Sequence, residues 1–245
     1  MKKNFIYGLR TIIEAIDSGK MIDKILFKSD LKGELFNDLM AIVRSRKIPV
    51  QFVPFQRINK FTTANHQGAL AFLSPIEYTD IEELTLRVFE EGKIPLFLIL
   101  DGITDVRNFG AIARTAECAN VNAIIIKTKG SVQVTNDAIK TSAGALLKIP
   151  VARVENLFFT AKFLKNSGLQ IISASEKGSI NYYENDYTGP TAIVMGAEDK
   201  GVSTEMLKIS DKVVKIPILG TIESLNVSNA ASIMIYEVVK QRIQQ

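Results

Sequence analysis

The sequence predicts an α/β protein, with a smaller front domain followed by a larger back domain. Three observations carry this. Apolar runs of strand length alternate with segments of helical periodicity along the chain, the pattern of βα units. The runs in the back half are apolar without alternation, as parallel strands buried on both faces are. An acidic stretch between Pro75 and Pro95 separates the halves. The boundaries read from it are 1–75 for the front domain, 76–94 for a linker and 95–245 for the back domain, all ordinary sizes.

In the front domain, Leu9–Ile16 reads as a helix closed by Gly19, followed by a strand at Ile22–Phe27. Leu35, Leu39, Ile42 and Val43 recur at helical spacing, and Val50–Val53 and Gly68–Leu73 read as strands. A short helix at Ile81–Glu90 is expected inside the linker. In the back domain, strands are expected at Leu96–Leu100, Ala123–Ile126, Leu169–Ser173, Thr191–Met195 and Lys212–Ile216. Between and after them come helices at Ala111–Ala119, Asp137–Leu147, Asn156–Asn166, Ser203–Ile209 and Ala230–Gln241. The last is apolar nearly all round, so it is covered on more than one side.

Composition narrows the function classes. The 245 residues are 47% apolar, with no apolar run of about 18 residues, so no membrane span is expected. Arg10, Glu14 and Asp17 break the opening segment, which excludes a signal peptide and makes the cytoplasm the expected location. A single cysteine, Cys118, and a single histidine, His66, make a metal centre unexpected. Cys118 reads as a small core residue. Residues 1–75 hold 12 basic against 6 acidic residues, a balance of +6, whereas 76–94 carry −4 and 95–245 carry +2. No acidic residue lies between Asp38 and Ile76, where Arg44, Arg46, Lys47, Arg57 and Lys60 alternate with Phe52, Phe55 and Phe61. The basic strip fits a polyanion such as RNA. Each Phe, taken alone, is expected in the core.

The commoner α/β enzyme motifs are missing. No G-x-G-x-x-G occurs, and the near P-loop Gly196–Ser203 has Val202 where lysine is required. No G-x-S-x-G elbow exists, and one histidine in the front domain does not make a triad.

Three loops remain, each after the C-terminal end of an expected strand, where open α/β sheets bind ligands. The first is DGITDVRNFGAIARTAECA at Asp101–Ala119, in which Asn108 and Gly110 suit a turn. Its Arg114 is a candidate site residue, or else an i,i+3 ion-pair partner of Glu117. The second is IVMGAEDKGVS at Ile193–Ser203. The third is IPILGTIESLNVSNA at Ile216–Ala230, where Gly220 permits an unusual turn. Ser224, Asn226 and Ser228 can cap a helix or expose hydrogen-bonding groups.

In this order and spacing, N-x-G-A-x-x-R-T-A, G-A-E-x-x-G-V and I-P-x-x-G-x-x-x-S-L-N-V-S-x-A resemble the motifs of the SpoU/TrmH family of RNA 2′-O-ribose methyltransferases. The front domain, including NHQGALAF at Asn65–Phe72, resembles the substrate-binding domain of RlmB-type members. The resemblance covers nearly the whole chain. It implies a C-terminal α/β domain tied in a trefoil knot, a smaller N-terminal RNA-binding α/β domain, a homodimer and S-adenosylmethionine as cofactor. By position it makes Gly196, Ile216, Ile218 and Leu225 cofactor-binding. It makes Asn108, Arg114, Glu198, Ser224 and Asn226 the catalytic polar set, with no metal. The implied substrate is a guanosine 2′-hydroxyl of 23S ribosomal RNA near the peptidyl-transferase centre. Two alternatives stand beside it: a transfer-RNA 2′-O-methyltransferase of the same family, and a non-catalytic RNA-binding protein, which would have no cofactor affinity.

Overall fold

The computed structural model describes residues 5–244. The chain forms two units, Met1–Glu77 and Tyr78–Gln245.

The first unit runs β1 (Phe5–Tyr7), α1 (Leu9–Asp17), β2 (Ile22–Lys28), α2 (Glu34–Ser45), β3 (Val50–Val53), a short α3 (Phe55–Asn59) and β4 (Ala69–Leu73). The sheet order is β1-β4-β2-β3, with β4 antiparallel to both neighbours and β2 parallel to β3. Leu9, Ile12 and Ile16 of α1 and Leu39 and Val43 of α2 pack with Ile25, Phe27, Ala69 and Ala71 of the sheet. Each such buried side chain contributes about 1.5–3 kcal/mol. Ile58 of α3 joins Leu26, Val53 and Leu70 in a second cluster. Gly19, at φ 79°, closes α1 as expected. The expectation for the phenylalanines of the basic strip is overturned: Phe52, Phe55 and Phe61 are 52%, 43% and 38% exposed. The core aromatic here is Phe27.

The second unit opens with α4 (Ile81–Glu90), capped by the Asp80 carboxylate. Ile81, Leu84 and Val88 pack into its core. The helix expected inside a linker is therefore a structural part of this unit, held by its apolar face. Next come β5 (Leu96–Asp101), α5 (Val106–Cys118), β6 (Ala123–Lys127), α6 (Asn136–Thr141), β7 (Val151–Val154) and α7 (Leu157–Asn166). The chain continues with β8 (Gln170–Ala174), β9 (Ile180–Asn181), β10 (Thr191–Gly196), α8 (Thr204–Ile209), β11 (Lys212–Lys215) and α9 (Val227–Ile243). The seven strands form one sheet, β7-β6-β5-β10-β8-β11-β9, in which every pairing is parallel. Phe97, Ile99, Ala192 and Val194 lie in a core shared with α4 and α7.

Three local differences from the sequence reading have clear causes. The helix expected over Asp137–Leu147 breaks at Ala143 and Gly144, both at positive φ, and resumes as a 3-10 turn. α5 starts near Asp105, whose carboxylate accepts from the amides of Arg107 and Asn108. Asn108 and Gly110 are thus helical. Gly110 serves packing instead, because a Cβ there would lie 2.6 Å from Thr141 Cβ. Cys118 is exposed, not core.

The last helix is anchored at its far end by Arg242. Its guanidinium donates to the carbonyls of Tyr187, Ile94, Pro95 and Gly189 at 2.8–3.1 Å. Those carbonyls lie before β5 and β10, at the end of the sheet opposite the three motif loops. Among the described residues, no helix is long and apolar enough to cross a membrane.

Candidate active site

The site forms where β5, β8, β10 and β11 end. β10 finishes at Gly196, and the chain folds straight back on itself. Ala197 and Gly201 exchange backbone hydrogen bonds at 2.8 and 3.2 Å, with Gly201 at φ 63°. This turn demands glycine at 196. A Cβ there would lie 2.1 Å from the Gly201 carbonyl carbon and 2.2 Å from the Val202 nitrogen. Asp101, at the end of β5, accepts from the Ser203 amide at 2.8 Å and ties the turn to the neighbouring strand. The Ser203 hydroxyl caps α8 through Met206 N, so that serine has a structural task.

Three polar side chains from the three loops meet. Asn108 Nδ2 donates to Glu198 Oε1 at 2.9 Å. Asn226 Nδ2 donates to the same Glu198 oxygen at 2.7 Å and to Asn108 Oδ1 at 3.0 Å. Asn226 also caps α9, its Oδ1 accepting from the Ser228 amide at 2.9 Å. Capping and cross-linking are therefore one function of a single amide, whose oxygen faces its own helix and whose nitrogen faces the other two loops. Hydrogen bonds to a carboxylate are the stronger kind, although these are exposed and so worth less than buried ones.

Beside this junction lies a cleft of ≈ 370 Å³. Gly196, Ile216, Ile218 and Leu225 line it together, as do Glu198 and Ser224. A smaller cleft of ≈ 220 Å³ on the α5 side contains Asn108 and shares Glu198 and Val227. Of the nine candidate residues, eight thus border one or other cleft or the junction between them. Arg114 does not. Its side chain is exposed on α5 and makes no hydrogen bond or ion pair among the described residues. Glu117, its possible ion-pair partner, instead faces Lys148 at 3.6 Å.

The sequence reading missed the loop after β8. Ala174, Ser175 and Glu176 line the larger cleft, as does Glu223 of the tail. The signal was available, since β8 is another parallel strand ending at the same rim. Gly220, read as a special turn, has no positive φ. Among the described residues, no group of three His, Cys, Asp or Glu side chains could hold a metal ion.

The arrangement can hold an elongated ligand with an apolar body, using Ile216, Ile218 and Leu225 as walls. Backbone amides of the Gly196 and tail turns supply polar contacts, and the carboxylates of Glu176 and Glu223 favour a ligand bearing positive charge.

Comparison with known proteins agrees. The profile of the SpoU rRNA Methylase family matches residues 95–236, and that of RNA 2′-O ribose methyltransferase substrate binding matches residues 5–79. A Staphylococcus saprophyticus protein, assigned by name to the TrmH family of tRNA/rRNA methyltransferases, is 38% identical over 242 residues. The match spans 99% of this chain and 97% of that protein. The SpoU methyltransferase AviRb from Streptomyces viridochromogenes, crystallised with AdoMet, shares the fold at TM-score 0.62 and 23% identity, over 98% of this chain and 91% of that one. An A. aeolicus TrmH/SpoU tRNA modifying enzyme is 30% identical at TM-score 0.57, over 66% of this chain and 84% of that one. The two profile matches, the full-length relative and the parallel-sheet fold place this chain in the SpoU rRNA methylase family, among the RNA 2′-O-ribose methyltransferases.

Proposed function

We propose that the chain transfers a methyl group from S-adenosylmethionine to a ribose 2′-hydroxyl, and that the substrate is a guanosine of 23S ribosomal RNA. The observation that carries the reading is the meeting of Asn108, Glu198 and Asn226 beside a cleft walled by Ile216, Ile218 and Leu225. Bound there, S-adenosylmethionine supplies an electrophilic methyl on a cationic sulfur. Ile216, Ile218 and Leu225 hold its apolar parts, and the Gly196 turn brings backbone donors and acceptors close.

The protein's own work on the acceptor is orientation and charge stabilisation. Asn108, Glu198 and Asn226 fix the loops against one another. Ser224, on the rim and with no side-chain hydrogen bond among the described residues, is placed to bond a phosphate or Arg114. Arg114 is a permanent cation, exposed and with no side-chain partner among the described residues. Because it borders neither cleft of its own chain, its part in meeting an RNA phosphate and stabilising the developing alkoxide requires the cleft of a second copy in the proposed homodimer.

The back unit is proposed to be knotted. The supporting path is that of the tail, which leaves β11 next to β8 and passes the Gly196–Gly201 turn. It then continues as α9, hydrogen-bonded to α5 through Thr115 and Ser232 at 3.1 Å. A homodimer is proposed as well, supported by Tyr236 and Ile243, apolar side chains of α9 that are 50% and 78% exposed. Sedimentation at micromolar concentration tests the dimer.

The ribosomal substrate rests on the resemblance of NHQGALAF at Asn65–Phe72 to RlmB-type members, and the transfer-RNA reading on the A. aeolicus relative. Labelled S-adenosylmethionine with ribosomal-RNA fragments and with transfer RNA decides between them. Mapping of 2′-O-methyl marks then names the nucleotide. Label in neither RNA, with folded protein, refutes the reading.

A further inference from the structure

The first unit holds a cavity of ≈ 440 Å³ that the methyl-transfer chemistry does not use. It lies between α3 and the turn before β4. Phe55, Lys28, Asn59, His66, Gln67 and Gly68 shape it, and among the described residues no acidic side chain lines it.

The cavity is built, not incidental. His66 is only 3% exposed. Its Nδ1 accepts from the Gly68 amide at 3.1 Å, so the ring proton sits on Nε2. That proton is donated to Asn59 Oδ1 at 2.8 Å. The histidine therefore fixes the orientation of the Asn59 amide: its oxygen accepts from His66, and its NH2 makes no hydrogen bond among the described residues. Gln67 and Gly68 both hold positive φ, 51° and 77°. The unusual Gln67 conformation is secured by its Oε1, which accepts from the Leu9 amide at 3.3 Å. Phe55 packs on His66 with ring centroids 4.8 Å apart, yet remains 43% exposed. Lys28 Nζ lies 5.7 Å from the Phe55 centroid and 3.2 Å from Asp30 Oδ2.

We propose that this cavity takes one unstacked base of single-stranded RNA, stacked on Phe55 and read by the Asn59 amide. The inference rests on the RNA-methyltransferase reading of the chain. An exposed aromatic face beside a cation is how proteins hold single-stranded bases, and the Lys28–Asp30 pair is exposed enough for Lys28 to exchange it for a phosphate at little cost. The fixed amide adds selectivity. A free Asn pairs with adenine by donating to N7 and accepting from the amino group. Here His66 already holds one of the two lone pairs of that oxygen and fixes its direction, so an exocyclic amino group meets a weakened acceptor, whereas both amide protons stay available. A keto oxygen, uracil O4 or guanine O6, finds a donor.

The test uses the full chain with short single-stranded RNAs, read by fluorescence anisotropy. Oligouridine is expected to bind more tightly than oligoadenosine or oligocytidine. Phe55→Ala is expected to weaken oligouridine about tenfold, with Phe55→Tyr restoring it. Asn59→Asp, which cannot donate, is expected to abolish the preference for uridine. RNA carrying 4-thiouridine is expected to photocrosslink within residues 55–68, located by mass spectrometry. Unchanged affinity in folded Phe55→Ala, crosslinks elsewhere only, or no base preference in the wild type overturns the proposal. Calorimetry with S-adenosylmethionine separates the two failures: donor binding without base capture sinks this cavity alone, whereas no donor binding sinks the methyltransferase reading.

Discussion

Asn226 donates to Asn108 at 3.0 Å across 118 residues of sequence, and both donate to one oxygen of Glu198. A single carboxylate oxygen thus joins the first turn of α5, the turn after β10 and the start of α9. If this junction holds the cleft in shape, the acceptor oxygen matters more than its charge. Glu198→Gln keeps an oxygen for the two amides, and its affinity for S-adenosylmethionine is expected to stay within about threefold of wild type. Glu198→Ala removes the acceptor and is expected to weaken binding about tenfold, the scale of two exposed hydrogen bonds. Calorimetry on both variants checks this. Equal affinity in Glu198→Ala and wild type would show that the junction does not shape the cleft.

Gly196→Ala tests the turn itself. The added methyl meets backbone, 2.1 Å from Gly201 and 2.2 Å from Val202, not the end of a flexible side chain. The turn must open, so the Ala197–Gly201 hydrogen bonds and the tie from Asp101 to Ser203 are lost together. The expected result is loss of donor binding and a stability decrease of about 2 kcal/mol or more, measured by denaturant unfolding. A variant that binds the donor normally would remove the glycine from the site.

Arg114→Ala separates binding from chemistry. The side chain borders neither cleft and has no hydrogen-bond or ion-pair partner among the described residues. Donor affinity and folding are therefore expected to be unchanged. Methyl transfer is expected to fall by about 100-fold or more, the usual cost of losing a group that stabilises developing charge. Single-turnover assays at saturating RNA distinguish this from weakened RNA binding. Transfer at the wild-type rate would leave Arg114 without its proposed role.

Much of this architecture was legible because burial writes itself into short apolar runs. Leu96–Leu100, Ala123–Ile126 and Thr191–Met195 are strands within one residue of where their sequence places them. Two-residue and three-residue strands, such as Ile180–Asn181 and Phe5–Tyr7, were not, because pairing rather than composition defines them. The helix Ile81–Glu90 was visible, but its membership of the second core was not, since its flanks are acidic and punctuated by proline. At the site, the motif loops were legible and their mutual hydrogen bonds were not. Nothing in Asn108 or Asn226 alone says that both reach Glu198. Side-chain orientation across three loops depends on the whole sheet.

The buried histidine is expected to make the first unit sensitive to acid. Burial holds the His66 ring below its usual pKa of 6.5. The neutral form is also the one the geometry requires, because protonated Nδ1 could no longer accept from the Gly68 amide. The unfolded chain then binds the proton more readily than the folded one. Its contribution to stability is therefore fully present above pH 6.5 and is lost as pH falls through the lower folded value. Denaturant unfolding of the first unit is expected to show a lower midpoint at pH 5 than at pH 7.5, with exchange protection of the Gly68 amide falling in step. His66→Gln cannot gain this charge, so its midpoint is expected to change less over the same interval. An equal drop in both proteins would assign the acid sensitivity to groups other than His66.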